Sequence, residues 1–390
     1  MLKILVKFDG KKVLFILFFL FPSEFCSSQE KAIKLNLAIT EDLAYNFNGE
    51  IDQGYVTLGN IDFTLTFDTE RMNLWKGGSF FVYALNNHGK SLSDLVGDFQ
   101  VVDNIEALSN TRLYEFWYRQ EIGNVSITLG QHDLNSEFAI SEYGIDAFIH
   151  SSFGIQPDIS TNIPVSIFPV ATLGAIIQWK ISESLRFVNG IYDGDPGDEL
   201  ENPNSLTIKL GNKEGVITIH ELQLSTNNNS IRKNTYKLGL WNRTTDIISD
   251  GVKYKNTQGI YFITDQLLFG EDEKRDQGLG VFAQIGIPLR SETGSIKSYL
   301  GGGLVYHGIF SGRDEDTMGI AFGRASFSDV YRKEHKKNAF ENETAIEFNY
   351  KLVVNSHFTI QPNFQYVINP QGVNVYKNAF MGIVRLKFEI

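Results

Sequence analysis

The residues of this chain best suited to contact a solute lie in the segment 112–120 (RLYEFWYRQ). Glu115, Trp117 and Arg119 alternate there, so on an extended strand they share one face, each charge about 6.5–7 Å from the indole. The indole offers an apolar surface to the C–H faces of a polyhydroxylated solute. The acid can accept hydrogen bonds from its hydroxyls, and the guanidinium can donate to them. The alternative is an electrostatic ladder of Glu115 and Arg119 beside a rim aromatic.

A second set of polar candidates follows the next alternating segment, 124–132, whose polar face ends at His132. Residues 133–168 are too long for a plain turn, and long loops without regular structure are usually functional or disordered. The polar candidates in this segment are Asp133, Asn135, Glu137 and Asp158, together with Glu142 and Asp146. Their polarity suits a loop that folds back to narrow a channel. A solvated surface loop is the alternative.

Motifs that would indicate catalysis or metal binding are missing from the sequence. It contains no HExxH, GxSxG or P-loop pattern, and its seven histidines are scattered. The segment 193–198 (DGDPGD) resembles a calcium loop, but Asp198 and Asn204 stand where an EF-hand needs Gly and Glu. A Gly/Pro turn with solvated carboxylates is the favoured interpretation. We therefore expect no catalytic residue, cofactor or metal site, and no enzymatic activity.

The elements that must position the candidate residues alternate with period two over about ten residues. In the last of them, Arg385, Lys387 and Glu389 alternate with apolar residues. A midplane Arg or Lys facing lipid would cost roughly 2–4 kcal/mol, so these charges mark a lumen. Sixteen such segments predict an all-β fold, a transmembrane antiparallel β-barrel wide enough for an aqueous channel and with polar residues facing the lumen throughout. Their predicted starts are Leu35, Tyr55, Ser79, Arg112, Asn124, Phe168, Ser184, Gly215, Tyr236, Gly259, Gly278, Ser295, Thr317, Asn342, His357 and Ala379.

Composition excludes several other classes of protein. A soluble β-sandwich also alternates, but its strands are usually shorter, and a chain of 390 residues would normally carry a linker between two such domains. The net charge of -11 argues against a nucleic-acid partner, which needs a basic surface. The one cysteine, Cys26, rules out a disulfide framework and a cysteine-ligated metal.

The first 28 residues are expected to be a signal peptide, leaving residues 29–390 as the barrel domain. Four lysines precede a short apolar stretch at residues 13–21, and small residues end at Ser28, before Gln29. A lipoprotein modified at Cys26 is the alternative, although Phe25 before it is too large for that signal. We therefore expect export and residence in the cell outer membrane.

Eight segments resemble the carbohydrate-selective porin family known as OprB, in order and over most of the chain. They are residues 89–107, 112–120, 129–144, 149–160, 188–198, 235–241, 277–286 and 364–372. The resemblance implies a sixteen-stranded barrel that passes mono- and oligosaccharides passively, and it favours solute contact at Trp117. The chain departs from the family at His132, where relatives commonly carry another polar residue, and at Ile390. The terminal strand otherwise resembles the signal read by the outer-membrane assembly machinery, which usually ends in Phe.

The sequence leaves other functions and the oligomeric state open. A porin of general or cation-preferring selectivity fits the acidic composition, and an outer-membrane enzyme would need a catalytic constellation that no spacing singles out. The expected partners are permeating sugars, outer-membrane lipid and the assembly machinery, with no nucleic acid. Both a monomer and a homotrimer remain compatible with the sequence.

Overall fold

The computed structural model describes residues 3–8, 11–16, 32–197, 199–208, 211, 214–226, 234–271, 277–334 and 340–390. They fall into two compact units, Met1–Lys31 and Ala32–Ile390. In the first unit, β1 (Lys3–Phe8) pairs with β2 (Lys11–Ile16) in antiparallel fashion. The predicted cleavage position at Ser28 lies outside the described residues, so the signal peptide stays a prediction.

The second unit is a closed barrel of sixteen antiparallel strands, which confirms the predicted fold class. Its last strand pairs with its first, with Phe388 opposite Ile39 and Arg385 opposite Asp42. The strands are β3 (Ile33–Asn48), β4 (Gly54–Asp68), β5 (Gly78–Gly89), β6 (Asn110–Ile122), β7 (Val125–His132), β8 (Thr172–Lys180), β9 (Leu185–Asp193), β10 (Val216–Thr226), β11 (Asn234–Ser249), β12 (Val252–Gly270), β13 (Gly278–Pro288), β14 (Ile296–His307), β15 (Thr317–Phe327), β16 (Asn342–Asn355), β17 (Phe358–Ile368) and β18 (Ala379–Glu389).

Most predicted strand starts lie within a few residues of the observed ones. The predicted starts Gly278, Thr317, Asn342 and Ala379 coincide with them. The largest error is in β12, which begins at Val252 rather than Gly259. Residues 252–258 (VKYKNTQ) are mostly polar, so the alternation that reveals a strand is weak there, although they pair with β11.

The long connections share one rim of the barrel because each follows an odd-numbered strand. They are residues 90–109, 133–171, 194–215 and 328–341. We call the first two loop 90–109 and loop 133–171. Loop 133–171 contains three short helices, α2 (Glu142–Ala147), α3 (Ser151–Gly154) and α4 (Pro157–Ser160), and loop 90–109 contains α1 (Ser93–Val96). On the other rim, β6 and β7 are joined by residues 123–124 alone, and β16 and β17 by residues 356–357.

Alternate side chains of each strand form an exposed and a buried face. The exposed face is apolar: in β18 it carries Phe380, Val384 and Phe388, whereas Arg385, Lys387 and Glu389 have the opposite parity, as predicted. The exposed faces of β11, β12 and β15–β17 are apolar in the same way, with Leu238, Leu240, Ile260, Phe262, Ile320, Phe322, Ile346, Phe348, Phe364 and Tyr366. An apolar outer band of this kind is typical of barrels that cross a membrane. Among the described residues, no helix is long and apolar enough to span a membrane.

The buried face differs between two sectors of the barrel. In strands β8–β12 it is largely apolar, and Ile159, Ile163 and other residues of loop 133–171 pack against it. The strand residues of this cluster are Ile176, Val188, Tyr192, Ile217, Ile219, Trp241, Tyr261 and Ile263. The expectation of polar lumenal parity throughout is therefore wrong here. A loop that covers a strand face removes it from water, so apolar residues are favoured at that face.

Candidate functional site

The main candidate site is a cavity of about 610 Å³ enclosed by strands β3–β6 and β16–β18 and by the two long loops. Strands β4 and β18 contribute Asp62, Arg385 and Lys387, because these residues share the buried parity of their strands. Its lining residues are Thr40, Asn60, Asp62, Tyr83, Asn104, Ile105, Tyr114, Asp133, Ile145, Asp146, Phe148, Phe168, Lys351, Thr359, Gln361, Arg385, Lys387 and Glu389. The cavity therefore combines four acids and three bases with four aromatic rings.

The guanidinium of Arg385 is a largely buried charge of the cavity, with 12% of its side chain exposed. Its Nε and Nη2 donate to the two carboxylate oxygens of Asp42 at 3.0 and 2.7 Å, and Nη2 also donates to Asp103 at 2.9 Å. Both carboxylates are fully buried. Because Asp103 belongs to loop 90–109, this ion-pair triad ties the loop to strands β3 and β18. Such a buried network holds its members in a fixed geometry.

The two lysines of the cavity lie in different surroundings. Lys351 of β16 donates to Asp146 of loop 133–171 at 2.8 Å, which links strand and loop. Lys387 lies 2.8 Å from Glu389, and 43% of its side chain is exposed. Lys387 therefore keeps donor capacity for a solute, whereas Lys351 is engaged with the loop.

One wall of the cavity is aromatic. Tyr83 and Tyr114 meet edge to face with ring centroids 5.1 Å apart, and Tyr114 and Phe168 meet similarly at 6.2 Å. The hydroxyl of Tyr83 donates to Asp62 at 2.5 Å, and the same carboxylate oxygen accepts from Asn60. An apolar ring surface and an oriented carboxylate thus stand side by side, which is the arrangement that binds a ring with C–H and hydroxyl surfaces.

Strand carboxylates hold the backbone of loop 133–171. Glu347 accepts from the N–H groups of Ile149 and His150 at 2.8 and 2.9 Å. Glu221 accepts from the N–H of Ala139 at 2.9 Å, and Asp265 from that of Tyr143 at 3.1 Å. Hydrogen bonds to charged acceptors contribute roughly 1.5–3 kcal/mol each. The position of loop 133–171, and hence the shape of the cavity, depends on these carboxylates.

Comparison with known proteins agrees with this architecture. Residues 52–390 match the family described as "Carbohydrate-selective porin, OprB family". The chain belongs to this family. Porin B of Pseudomonas aeruginosa is 23% identical over 412 residues, which cover 92% of this chain and 87% of that protein. The family and the fold are those of a channel rather than of an enzyme.

Solved structures resemble this OprB-family porin in fold. The high-pH structure of Pseudomonas putida OprB matches with a TM-score of 0.84 and 19% identity, over 92% of this chain and 94% of that one. The low-pH structure of the same protein matches with a TM-score of 0.59, 15% identity and coverages of 92% and 93%. An anion-selective porin from Comamonas acidovorans matches with a TM-score of 0.55, 12% identity and coverages of 92% and 99%.

The sequence-predicted site residues of this porin fall into three groups. The first lies at the cavity and at the start of loop 133–171. Asp133 lines the cavity, and its backbone N–H donates to Glu115 at 2.8 Å, so buried Glu115 fixes the start of loop 133–171. Asn135 stabilises the same turn: its backbone N–H donates to Asp133 at 2.8 Å, and its side chain donates to the carbonyl of Phe138.

The second group lies beside the cavity rather than among its lining residues. Trp117 stacks on Phe81 with centroids 4.8 Å apart, and the guanidinium of Arg119 lies 5.0 Å from the indole centroid. Arg119 also forms an ion pair with Glu137 of loop 133–171. Arg119 is therefore already paired with a loop carboxylate, and Glu115 already accepts from the N–H of Asp133, so solute contact at these side chains stays a prediction.

The third group is buried in packed contacts, and solute contact was the wrong expectation for it. His132 is 1% exposed and lies against Trp117 and Tyr192. Asp158 is fully buried between α4 and strand β13, where a side chain at Gly286 would collide with its carboxylate. Both residues were predicted to line the channel, but His132 is enclosed by aromatic rings and the loop that carries Asp158 packs tightly against the strands.

A bulge corrects the predicted parity of β6. Strict alternation along β6 would place Tyr114 on the same face as Phe116, yet Tyr114 is buried and lines the cavity while Phe116 is 52% exposed. The pairing with β5 jumps from Glu115 to Leu113, which leaves Tyr114 without a partner across the strands. A bulge inserts one extra residue and re-aims its side chain. Alternation alone cannot reveal such an insertion.

Sequence reasoning missed the bases of the cavity, although a usable signal was present. Arg385 and Lys387 carry the polar parity of a strand whose other face is apolar, and the same holds for Asp62. Such charges indicate a lumen, so the strand parity was sufficient to predict these three side chains as site residues. By contrast, nothing local distinguishes Lys351 or Phe148 from other residues of their segments.

The acidic segment 193–197 behaves as a turn. Asp193 accepts from the N–H of Gly194 at 2.8 Å, and Asp195 accepts from that of Gly197 at 3.0 Å. Asp198 lies outside the described residues. Within the described ranges, no group of three or more His, Cys, Asp or Glu side chains forms a metal site.

Proposed function

We propose that this porin is a passive diffusion channel for mono- and oligosaccharides in the bacterial outer membrane, with no catalytic step. We further propose that the buried strand face is lumenal and that loop 133–171 folds into the lumen and narrows it. The 610 Å³ cavity then forms part of the solute path. The apolar exposed band of the barrel faces lipid.

The observation that carries the proposal is the composition of this cavity. A sugar ring presents apolar C–H faces and polar hydroxyls, and here the aromatic wall of Tyr83 and Tyr114 stands beside Asp62 and Lys387. The cavity volume falls within the roughly 300–1,000 Å³ of small-molecule sites. Its four acids and three bases nearly balance, which supports a path for neutral solutes better than one for ions.

We propose cleavage of residues 1–28 and insertion of the remaining chain into the outer membrane. Protein purified from outer membranes should begin at Gln29 or within a few residues of it in mass spectrometry. A lipid on Cys26 would contradict this and point to a lipoprotein.

Sugar block of single-channel current tests the proposed function. Wild-type protein in planar bilayers should show concentration-dependent block by glucose and maltose. Lys387→Met should weaken sugar affinity by roughly 2- to 12-fold, the equivalent of one lost hydrogen bond of about 0.5–1.5 kcal/mol. It should also shift ion selectivity toward cations, because one positive charge leaves the lumen.

Lys253→Met is the matched control for this experiment. Lys253 of β12 also forms an ion pair at 2.8 Å, with Asp246, and is 59% exposed, but it does not line the cavity. Its replacement should leave sugar block unchanged. Wild-type current that no sugar reduces would overturn the proposed function, and equal effects of the two lysine variants would move the solute path away from this cavity.

A further inference from the structure

A second and larger cavity lies on the rim that carries the long loops. Its volume is about 800 Å³, and its floor is the apolar end of loop 133–171, residues 163–171. The described parts of segment 194–215 form its opposite side and contribute Asn202, Ser205 and Thr207. This outer cavity, like the 610 Å³ cavity, joins an apolar surface to hydrogen-bonding side chains.

One aromatic residue connects the two cavities. Phe168 lines both of them and packs edge to face on Tyr114 of the inner, 610 Å³ cavity. Gln131, which lines the outer cavity, donates to the backbone carbonyls of Leu113 and Tyr114 at 2.8 and 2.9 Å. The partition between the cavities is therefore thin, and the ring of Phe168 is shared by both.

The outer cavity has a braced polar edge. The side chain of Asn202 accepts from the N–H of Thr207 at 3.2 Å and donates to its carbonyl at 2.8 Å, which closes a tight turn. Ser205 lies inside this turn with a φ of 53°, a left-handed conformation that few serines adopt. The turn thus holds Ser205 in a defined orientation before any ligand arrives.

The hydroxyl of Ser205 indicates a ligand. Ser205 is 3% exposed and lines the cavity, yet its Oγ has no hydrogen-bond partner in the described part of the chain. Buried polar atoms are nearly always paired, and an unpaired one costs roughly 1–3 kcal/mol. A ligand hydroxyl in the cavity would supply the missing partner.

The turn is also fixed to the barrel wall. Asn204 accepts at its carbonyl from the N–H of Leu113 at 3.1 Å and donates from its side chain to Thr111 at 2.7 Å. Arg112, fully buried, pairs with Glu199 at 2.8 Å. These contacts occupy the part of β6 above Phe116, where β7 no longer pairs with it. The polar edge is therefore anchored to the same strand that supplies Tyr114 to the inner cavity.

We propose that the outer cavity is a second saccharide site in series with the inner one, so that an oligosaccharide occupies both across Phe168 while a monosaccharide occupies one. This inference rests on the proposed function. It assigns the channel's preference for longer saccharides to the polar edge that contains Ser205 and to the ring of Phe168, rather than to the charges of the inner cavity.

Block by glucose, maltose and maltotriose tests the inference. In wild-type channels affinity should rise with chain length. Ser205→Ala should reduce maltotriose affinity by roughly 2- to 12-fold, the equivalent of one hydrogen bond, and leave block by glucose in the inner cavity unchanged. Phe168→Ala should abolish the gain with chain length, and Phe168→Leu, which keeps most of the side-chain volume, should weaken it.

Ser136→Ala provides the control, because Ser136 is exposed at the start of loop 133–171 and lines neither cavity. It should behave as wild type with all three sugars. Equal loss of glucose and maltotriose affinity in Ser205→Ala, or no loss of either, would overturn the second site while leaving the channel function standing. Absence of block by any sugar in the wild-type protein would instead overturn the proposed function itself.

Discussion

Two sectors of the barrel use the same alternating strands for different purposes. In β8–β12 the buried face is apolar and packs against loop 133–171, with Trp241 fully buried at its centre. In β3–β6 and β16–β18 the buried face carries the charges and aromatic rings of the 610 Å³ cavity. The first sector resembles the core of a soluble protein, whereas the second combines an apolar cluster, which includes Leu58 and Met381, with the charges and rings that line the cavity. One barrel thus combines a support for its loops with the cavity that we propose as part of the solute path.

The largest expected effect concerns the apolar sector. Trp241→Ala should lower the free energy of unfolding by about 3–5 kcal/mol, because it opens a cavity between strand and loop. Leu240→Ala, on the exposed face of the same strand, should cost far less. Urea unfolding in detergent, followed by tryptophan fluorescence and by gel mobility without boiling, measures both. Equal destabilisation would show that the loop does not pack on this sector.

The next prediction concerns the charge that lies within the apolar sector. Burial raises the pKa of Asp158 to about 7, from an ordinary value near 3.8. The folded state therefore retains a proton that the unfolded state loses, and stability should fall as pH rises from about 4 to 7, by on the order of 2–4 kcal/mol.

Asp158→Asn should remove this dependence and be the more stable form at pH 8. Unfolding at a series of pH values checks both points, with Asp329→Asn as the control because the side chain of Asp329 is 80% exposed. An unchanged pH profile in Asp158→Asn would mean that this carboxyl is solvated in the folded protein.

A smaller effect is expected at Glu347 of β16, a carboxylate that accepts hydrogen bonds from the backbone of loop 133–171. Glu347→Gln keeps one oxygen, so one of the N–H groups of Ile149 and His150 loses its acceptor, at a cost of about 1–3 kcal/mol. The loop should then fluctuate more, which single-channel recordings would register as greater current noise. Glu341→Gln replaces a side chain that is 67% exposed, so its current noise should equal that of the wild type. Current noise at the wild-type level in Glu347→Gln would refute the role of Glu347 in holding the loop.

The smallest predicted effect concerns Trp117, which lies beside the cavity rather than among its lining residues. Trp117 stacks on Phe81 beside the cavity, so Trp117→Ala should weaken sugar block by fivefold at most, the equivalent of about 1 kcal/mol. Arg119→Ala should shift ion selectivity toward cations. Phe116→Ala, at the exposed face, should leave sugar block unchanged. A larger effect of Trp117→Ala than of Lys387→Met would place the main sugar contact at Trp117 instead.

The sequence by itself determined the barrel, the number of its strands and the position of its longest loop. These features follow from local alternation and from the cost of placing charges such as Arg385 and Lys387 against lipid, and neither requires knowledge of distant contacts. The same alternation placed Glu115, Trp117 and Arg119 on one face, and the structure brings Trp117 and Arg119 together as expected.

Only the tertiary structure decided which residues meet across the barrel. Loop 133–171 packs on the strands, so Asp158 became buried beside Gly286 of β13, and polar parity failed in β8–β12. A single bulge in β6 turned Tyr114 toward the cavity. Lys351 reaches Asp146, about two hundred positions away in the chain. Closing a barrel joins strands that are remote in sequence, and the energies of those contacts leave no signal in the local pattern from which strands are predicted.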